Sequence, residues 1–172
     1  CLTVSGGHTQ IVLVKDYLDM EIMGETLDDA VGEAFDKSAK LLGLPYPGGP
    51  LIDQYGAMGN PDAFPFPDTS TPGFNYSFSG IKTAILYFLR DQIKENPDFI
   101  AQRMPDICAS IQKKLIDMLM NKLKKAVAKY RIKHVAISGG VSANSELRRR
   151  LMEVGQKLDW QTYIPAFEYC TD

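Results

Sequence analysis

The tripeptide Ser-Gly-Gly occurs twice in this chain, each time after a short apolar run: Leu2-Thr3-Val4 leads into Ser5-Gly6-Gly7, and Val135-Ala136-Ile137 into Ser138-Gly139-Gly140. Paired glycines can take positive φ and expose backbone N–H groups with no Cβ in the way, so an anion can approach the main chain closely. One such tripeptide is a tight turn. Two of one kind, each closing a strand-like run, predict the halves of a split phosphate site. Behind the second copy, Leu147, Leu151, Val154 and Leu158 recur at helical spacing, with Ser142 or Asn144 as candidate N-cap. Strand, glycine turn and helix N-terminus in that order make an anion site. If Ser142 does the capping, the Asn144 amide is free to hold a phosphate or carbonyl oxygen; otherwise Asn144 is simply the cap.

A chain of 172 residues has room for one domain or two small lobes and buries roughly 70% of the surface its unfolded form exposes. With 45% hydrophobic and 23% charged residues it has the composition of a globular protein. No apolar run approaches the roughly 20 residues of a membrane span, and no secretion signal is visible. Cys1, Cys108 and Cys170 are odd in number and far apart, which predicts reduced thiols in a cytoplasmic protein and argues against a cysteine zinc site. The chain opens without Met, in a strand-like run, and stops at Glu168-Tyr169-Cys170-Thr171-Asp172 with no capping element. It reads as part of a longer protein.

A net charge of -2 hides an asymmetry: eight acids and no base lie between Asp16 and Asp36, and eight bases against Asp117 alone lie between Lys113 and Lys133. Arg148-Arg149-Arg150 adds three more bases. The pattern fits either a polyanionic partner or a solvated helix face.

Along the chain, residues 1–14 form a predicted hairpin around the first glycine turn, with a third strand over 20–23. Thr26 with Asp29 three residues on reads as a helix start, and Val31, Phe35, Ala39 and Leu42 give the apolar stripe, ending at Gly43. Pro50 is placed to start a helix reaching about Met58. The stretch 60–79 is rich in proline, phenylalanine and hydroxyl residues, too aromatic for a flexible linker, and predicts an ordered loop packed on the core. Helices are expected over 81–93 and 98–130, the second interrupted near Pro105. A strand at 134–137, a helix at 145–158 and a strand at 161–164 complete a β-α-β unit, so the second half is α/β with a helical section before it.

Two carboxylates stand out. Asp36 is either an exposed ion pair with Lys40 at i, i+4 or an acceptor for ribose hydroxyls. Asp53, placed in the first turn of its helix, is favourable there through the macrodipole and is also a candidate ligand. His8, behind the first glycine pair, reads as a structural or surface histidine with catalysis as the alternative, and His134 carries no functional signal. Lys82 sits in a helix first turn, where a cation is mildly unfavourable.

Taken in order, Val4-Ser5-Gly6-Gly7-His8-Thr9-Gln10, Gly32-Glu33-Ala34-Phe35-Asp36-Lys37, Tyr46-Pro47-Gly48-Gly49-Pro50, Phe78-Ser79-Gly80-Ile81-Lys82-Thr83, Gly139-Gly140-Val141-Ser142-Ala143-Asn144 and Glu168-Tyr169-Cys170-Thr171-Asp172 resemble the TsaD family. These enzymes place threonylcarbamoyl on N6 of the adenosine beside the tRNA anticodon and were formerly called O-sialoglycoprotein endopeptidases.

The resemblance implies the two-lobed actin-like fold (ribonuclease H-like), here mostly its second lobe with an inserted helical section. Residues 1–24 would end the first-lobe sheet, 25–130 form the helical section and 131–172 the β-α-β unit. It further implies that Thr3, Val4, Ser5, Gly6, Gly7, Asp36, Gly49, Asp53 and Asn144 hold threonylcarbamoyl-adenylate, with Asp36 and Asp53 near the ribose. Asp172 would match a metal-binding aspartate for Fe or Zn, whose histidine partners lie in a His-x-x-x-His motif upstream of Cys1. The chain alone is therefore expected to bind no transition metal tightly and to be inactive. Partners implied are tRNA, a scaffold paralogue and a small ATPase. Helix 106–130 and Arg148 to Arg150 are the expected tRNA-facing surface.

Three rivals are an ATPase or kinase of the same fold, a metallopeptidase and a non-catalytic scaffold paralogue. A metallopeptidase typically carries His-Glu-x-x-His, which this chain lacks. The scaffold lacks an intact second-lobe site, whereas both glycine turns and Asn144 are present here.

Overall fold

A computed structural model describes residues 1–170. The elements are β1 (Leu2–Val4), β2 (Thr9–Asp16), β3 (Asp19–Glu25), α1 (Val31–Leu41), α2 (Gly48–Gly56), α3 (Ser79–Glu95), α4 (Phe99–Tyr130), β4 (His134–Ser138), α5 (Ser145–Lys157) and β5 (Gln161–Tyr163). All five strands belong to one sheet, ordered β3-β2-β1-β4-β5. The sheet thus draws together residues 1–24 and 131–163. β1 runs antiparallel to β2 and parallel to β4, pairing Leu2 with Ile137 and Thr3 with Ser138. β4 and β5 are parallel, with α5 as the crossover. Leu2 and Val4 are fully buried, as befits a short central strand, whereas β2 and β3 run out into solvent at Tyr17 and Leu18.

The core follows α4, whose Ile107, Ile111, Leu115, Leu119 and Leu123 step four residues apart and are at most 2% exposed. That spacing puts all five on one stripe. The predicted interruption near Pro105 lies at Arg103, where φ is -119° and ψ 15°; the proline ring and missing N–H disfavour a regular turn before it. The aromatic loop is ordered, as expected. Phe64 and Phe66 join Phe88 and Phe99 in a cluster with ring centroids 5.0 to 5.8 Å apart. Tyr76 and Phe78 are buried, and the Tyr76 hydroxyl donates to Leu119 O. Each fully buried ring of this kind contributes about 1.5–3 kcal/mol, enough to hold a segment without regular structure.

Two predicted helix starts move. Thr26 does not cap α1: its hydroxyl donates to Asp29 O at 2.6 Å, and the helix begins five residues later, at Val31. The Val31 N–H is taken instead by the buried Thr9 hydroxyl, from β2. α2 starts at Gly48 rather than at Pro50, because a carboxylate from α1 takes the N–H groups of both glycines.

Candidate nucleotide-binding cleft

The β1–β4 pairing sets the two Ser-Gly-Gly turns side by side at the carboxyl ends of parallel strands. In the first turn the Ser5 hydroxyl accepts from the N–H groups of Gly7 and His8, and Ser5 N–H donates to His8 O at 2.8 Å. Neither Gly6 nor Gly7 takes positive φ. In the second, Gly139 has φ +90°, and a Cβ there would stand 2.4 Å from Val4 O. Only glycine lets the second turn lie against the end of β1. The start of α1 packs on the first turn just as closely: Gly32 N–H donates to Ser5 O at 3.1 Å.

Three helix N-termini are then capped by carboxylates from elsewhere in the chain. Asp36 Oδ1, on α1, accepts from Gly48 N–H at 2.8 Å and Gly49 N–H at 3.2 Å, at the start of α2. It makes no ion pair with Lys40 among the described residues, so the surface-pair alternative is set aside. Its Oδ2 has no protein donor among the described residues. Asp53 stands in the second turn of α2, not the first, and its carboxylate accepts from the N–H and hydroxyl of Ser145, opening α5. Asp28 caps α3 through Phe78 and Ser79 N–H and both serine hydroxyls. Unpaired N–H groups and the macrodipole make each of these a favourable place for a negative charge.

The cap of α5 is Asn144, whose Oδ1 accepts from Leu147 N–H at 2.9 Å. Ser142 does not cap it; its hydroxyl is buried against Gly139 O and the Cys170 thiol, in a short 3₁₀ turn between β4 and α5. The Asn144 amide is therefore not free, since its Nδ2 donates to Gln112 Oε1 at 2.8 Å. The N-terminus of α5, expected to receive an anion, is already occupied by Asp53 and Asn144.

A cleft of about 450 Å³ opens between these parts, within the range for small-molecule sites. Of the predicted residues, Gly6, Asp36, Gly49, Asp53 and Asn144 line it, with Phe35 and Val141 as apolar wall and Tyr46 and Pro47 at another side. Thr3, Val4, Ser5 and Gly7 do not. Thr3 packs its hydroxyl on that of Ser138 at 3.2 Å, Val4 is core, and Ser5 closes its own turn. Gln112 was missed, although a glutamine amid the apolar stripe of α4 was a visible signal. A larger groove of about 630 Å³ lies at the opposite, amino ends of β1 and β4, but its walls are mostly apolar. Ligands of open α/β sheets bind beyond the carboxyl ends, which favours the smaller cleft.

Asp172 lies outside the described residues. Among those described, no three His, Cys, Asp or Glu side chains cluster to hold a metal. They do not by themselves make a donor set for one.

The basic tract divides rather than forming one surface. Arg148 turns inward, donating to Ser142 O and Pro165 O at 2.7 Å and lying 4.0 Å from the Phe167 ring centre. Arg149 pairs with Glu146 and Glu153, and Arg150 with Asp117. Arg148 to Arg150 thus each have partners within the protein, Arg148 facing inward and Arg149 remaining exposed.

Two glycine turns on adjacent parallel strands, over a cleft flanked by two carboxylates, make an α/β protein with a candidate ligand site at the strands' carboxyl ends, and the family to which it belongs has the actin-like fold. The chain belongs to the TsaD family, described as tRNA N6-adenosine threonylcarbamoyltransferase, whose model matches residues 1–172. It is 64% identical over 172 residues to the protein of that name from Cytophaga hutchinsonii, covering 100% of this chain and 50% of the relative. The Christiangramia forsetii protein of the same name is 59% identical over 171 residues, 99% of this chain and 50% of the relative. That of Riemerella anatipestifer is 58% identical, with 100% and 50% covered. The chain spans about half the length of these relatives. No helix among the described residues is long and apolar enough to cross a membrane.

Proposed function

We propose that this chain supplies the adenylate-binding half of a tRNA N6-adenosine threonylcarbamoyltransferase. The observation that carries the proposal is the convergence of both glycine turns with Asp36, Asp53 and Asn144 on one cleft. Asp36 Oδ2, without a protein donor among the described residues, is suited to accept from a ribose hydroxyl, while its Oδ1 is held rigidly by α2. The backbone of Gly6 and Gly140 borders the same space and gives the phosphate side of the adenylate an approach free of side chains.

The reaction is acyl transfer. The adenosine N6 amine attacks the threonylcarbamoyl carbonyl, a C–N bond forms, the bond from that carbon to the phosphate oxygen breaks, N6 loses a proton, and AMP leaves. No side-chain nucleophile is required; binding both reactants in register supplies the advantage. Asp172 is the one metal ligand this chain would contribute, for Fe or Zn, and such an ion would supply Lewis-acid polarisation of the threonylcarbamoyl carbonyl. A scaffold paralogue and a small ATPase as partners, and a cytoplasmic setting, belong to the same proposal.

The test uses the complete protein with threonylcarbamoyl-adenylate and tRNA, reading modified adenosine. Asp36→Ala should weaken adenylate binding in calorimetry by about 1.5–3 kcal/mol, the worth of a hydrogen bond to a charged group. Nucleotide hydrolysis independent of tRNA, or an affinity unchanged by Asp36→Ala, would overturn the assignment.

A further inference from the structure

The charged tract on α4 leaves one feature that the cleft does not use. Lys114, Lys122, Lys125 and Lys129 fall along one face of the helix, beneath the hydroxyl-rich loop 68–77. Three of them hold that loop. Lys114 pairs with Asp68, Lys122 donates to Thr71 O at 2.9 Å and Gly73 O at 2.7 Å, and Lys129 lies 5.4 Å from the centre of the Phe74 ring. Lys125 has no hydrogen-bond or ion-pair partner among the described residues, and it borders a polar cavity of about 340 Å³ between the loop and α4.

Four side chains around that cavity carry donors with no protein acceptor among the described residues. Ser70, Asn75, Asn121 and Lys125 all line it, and no side-chain hydroxyl, amide N–H or ammonium among them donates to a protein acceptor among the described residues, while Asn75 Oδ1 accepts from Glu25 N–H. Several nearby acceptors already have donors: Lys122 takes the carbonyls of Thr71 and Gly73, Thr69 donates to Ser77 O, and Lys114 engages Oδ1 of the one lining carboxylate, Asp68. Burial and the neighbouring Lys125 charge pull the Lys122 ammonium below the ordinary lysine range. Two cations thus repel each other in a concave, donor-rich site. The groove between α4 and α5 is also basic, but its Arg149 and Arg150 are neutralised by Glu146, Glu153 and Asp117.

We propose that the cavity between loop 68–77 and α4 is a phosphate subsite, in which Lys125, Ser70, Asn75 and Asn121 receive a backbone phosphodiester of RNA. A phosphate is acceptor-only and anionic, so it satisfies the idle donors and separates the two lysines. The site lies apart from the adenylate cleft and shares no lining residue with it. Only the choice of RNA as the source of the phosphate rests on the proposed function; the chemistry of the site does not.

The experiment measures binding of unfractionated tRNA to the complete protein by fluorescence anisotropy across a salt series. Lys125→Ala is compared with Lys94→Ala, an exposed base at the far end of α3. Lys125 is exposed and has no partner among the described residues, so its removal leaves the fold intact, which thermal melting checks. Lys125→Ala should weaken binding about three- to tenfold near 0.1 M salt and lower the slope of log K against log salt by about one, as for loss of one phosphate contact. Lys94→Ala should do neither. Ser70→Ala should weaken binding with the slope kept, since it removes a donor and no charge.

In a second arm, inorganic phosphate is tested for protection of Lys125 against acetylation. Equal slopes for Lys125→Ala and the parent overturn the proposal. Protection by phosphate alongside unchanged tRNA binding overturns RNA as the source. A protein that fails to modify tRNA yet binds it through Lys125 would sink the enzymatic assignment and leave this site standing.

Discussion

The carboxylate of Asp53, on α2, takes both donors of Ser145 at the start of α5, the backbone N–H at 2.9 Å and the hydroxyl at 2.7 Å, across 92 residues of sequence. This contact joins the helical section to the β-α-β unit at the cleft. It places an acid of the chain where an external anion was expected to sit. An adenylate in the cleft would therefore meet helix ends that already carry negative charge, and its phosphate would rely on the glycine turns.

Removing either partner should loosen that junction. Asp53→Ala and Ser145→Ala should each cost about 1–2 kcal/mol in urea unfolding, the range for lost helix caps. Their double-mutant cycle should return a coupling of at least about 0.5 kcal/mol. Simple additivity would mean that the two side chains do not hold each other.

Gly139 and Gly6 should respond in opposite ways to the same methyl group. At Gly139 the positive φ and the 2.4 Å approach to Val4 O leave no room for a Cβ, whereas at Gly6 nothing lies within 4 Å of one. Gly139→Ala should destabilise by more than about 2 kcal/mol, since backbone strain and a main-chain clash add. Gly6→Ala should stay within about 0.5 kcal/mol of the parent. Equal melting temperatures for the two variants would contradict the packing of the second turn on β1.

Asp28 makes the cap of α3 sensitive to acid. Burial pushes its carboxyl up, but hydrogen bonds from the Ser77 and Ser79 hydroxyls and from Phe78 and Ser79 N–H outweigh it and hold the group below the ordinary aspartate range. A depressed carboxyl stabilises the fold above its unfolded value, about 3.9, and that contribution is lost as pH falls through the folded value. The stability gap between the parent and Asp28→Asn should be constant from pH 7 to about 5, narrow once the pH falls below the unfolded value, and close only below the lower folded value. Urea midpoints of the pair at pH 7 and over a series from pH 5 to pH 2 check this; a gap that does not narrow anywhere below pH 4 would mean that the ionised carboxylate is not what caps α3.

Much of the fold was legible because its signals are local. Strand, turn and helix positions follow from side-chain period and from glycine and proline, so β1 to β3, α1, α4 with its interruption near Pro105, and the unit β4-α5-β5 all occur close to where the pattern puts them. The aromatic loop was legible for the same reason: a stretch carrying Phe64, Phe66, Phe74, Tyr76 and Phe78 has too much apolar area to remain in water.

The partners of the polar groups were not legible. Thr26 followed by Asp29 has the spacing of a helix start, yet α1 is begun by Thr9, which reaches Val31 from another element. Asp36 has the spacing of an ion pair with Lys40, yet it caps α2. Arg148, Arg149 and Arg150 are consecutive, so their directions around α5 differ by about 100° each, and they find a carbonyl cage, two glutamates and Asp117 respectively.

Periodicity and turn chemistry depend on neighbours within a few residues, and the chain carries that information in linear order. Which carboxylate reaches which helix end depends on how whole elements pack. The pairing of β1 with β4 brings residues 5–7 beside 138–140, and a small lateral shift in that packing would move Asp53 away from Ser145. The residue types of the cleft were therefore readable one segment at a time, while their convergence was set by the sheet order and the core around α4, where burial of long-range apolar contacts outweighs local preference.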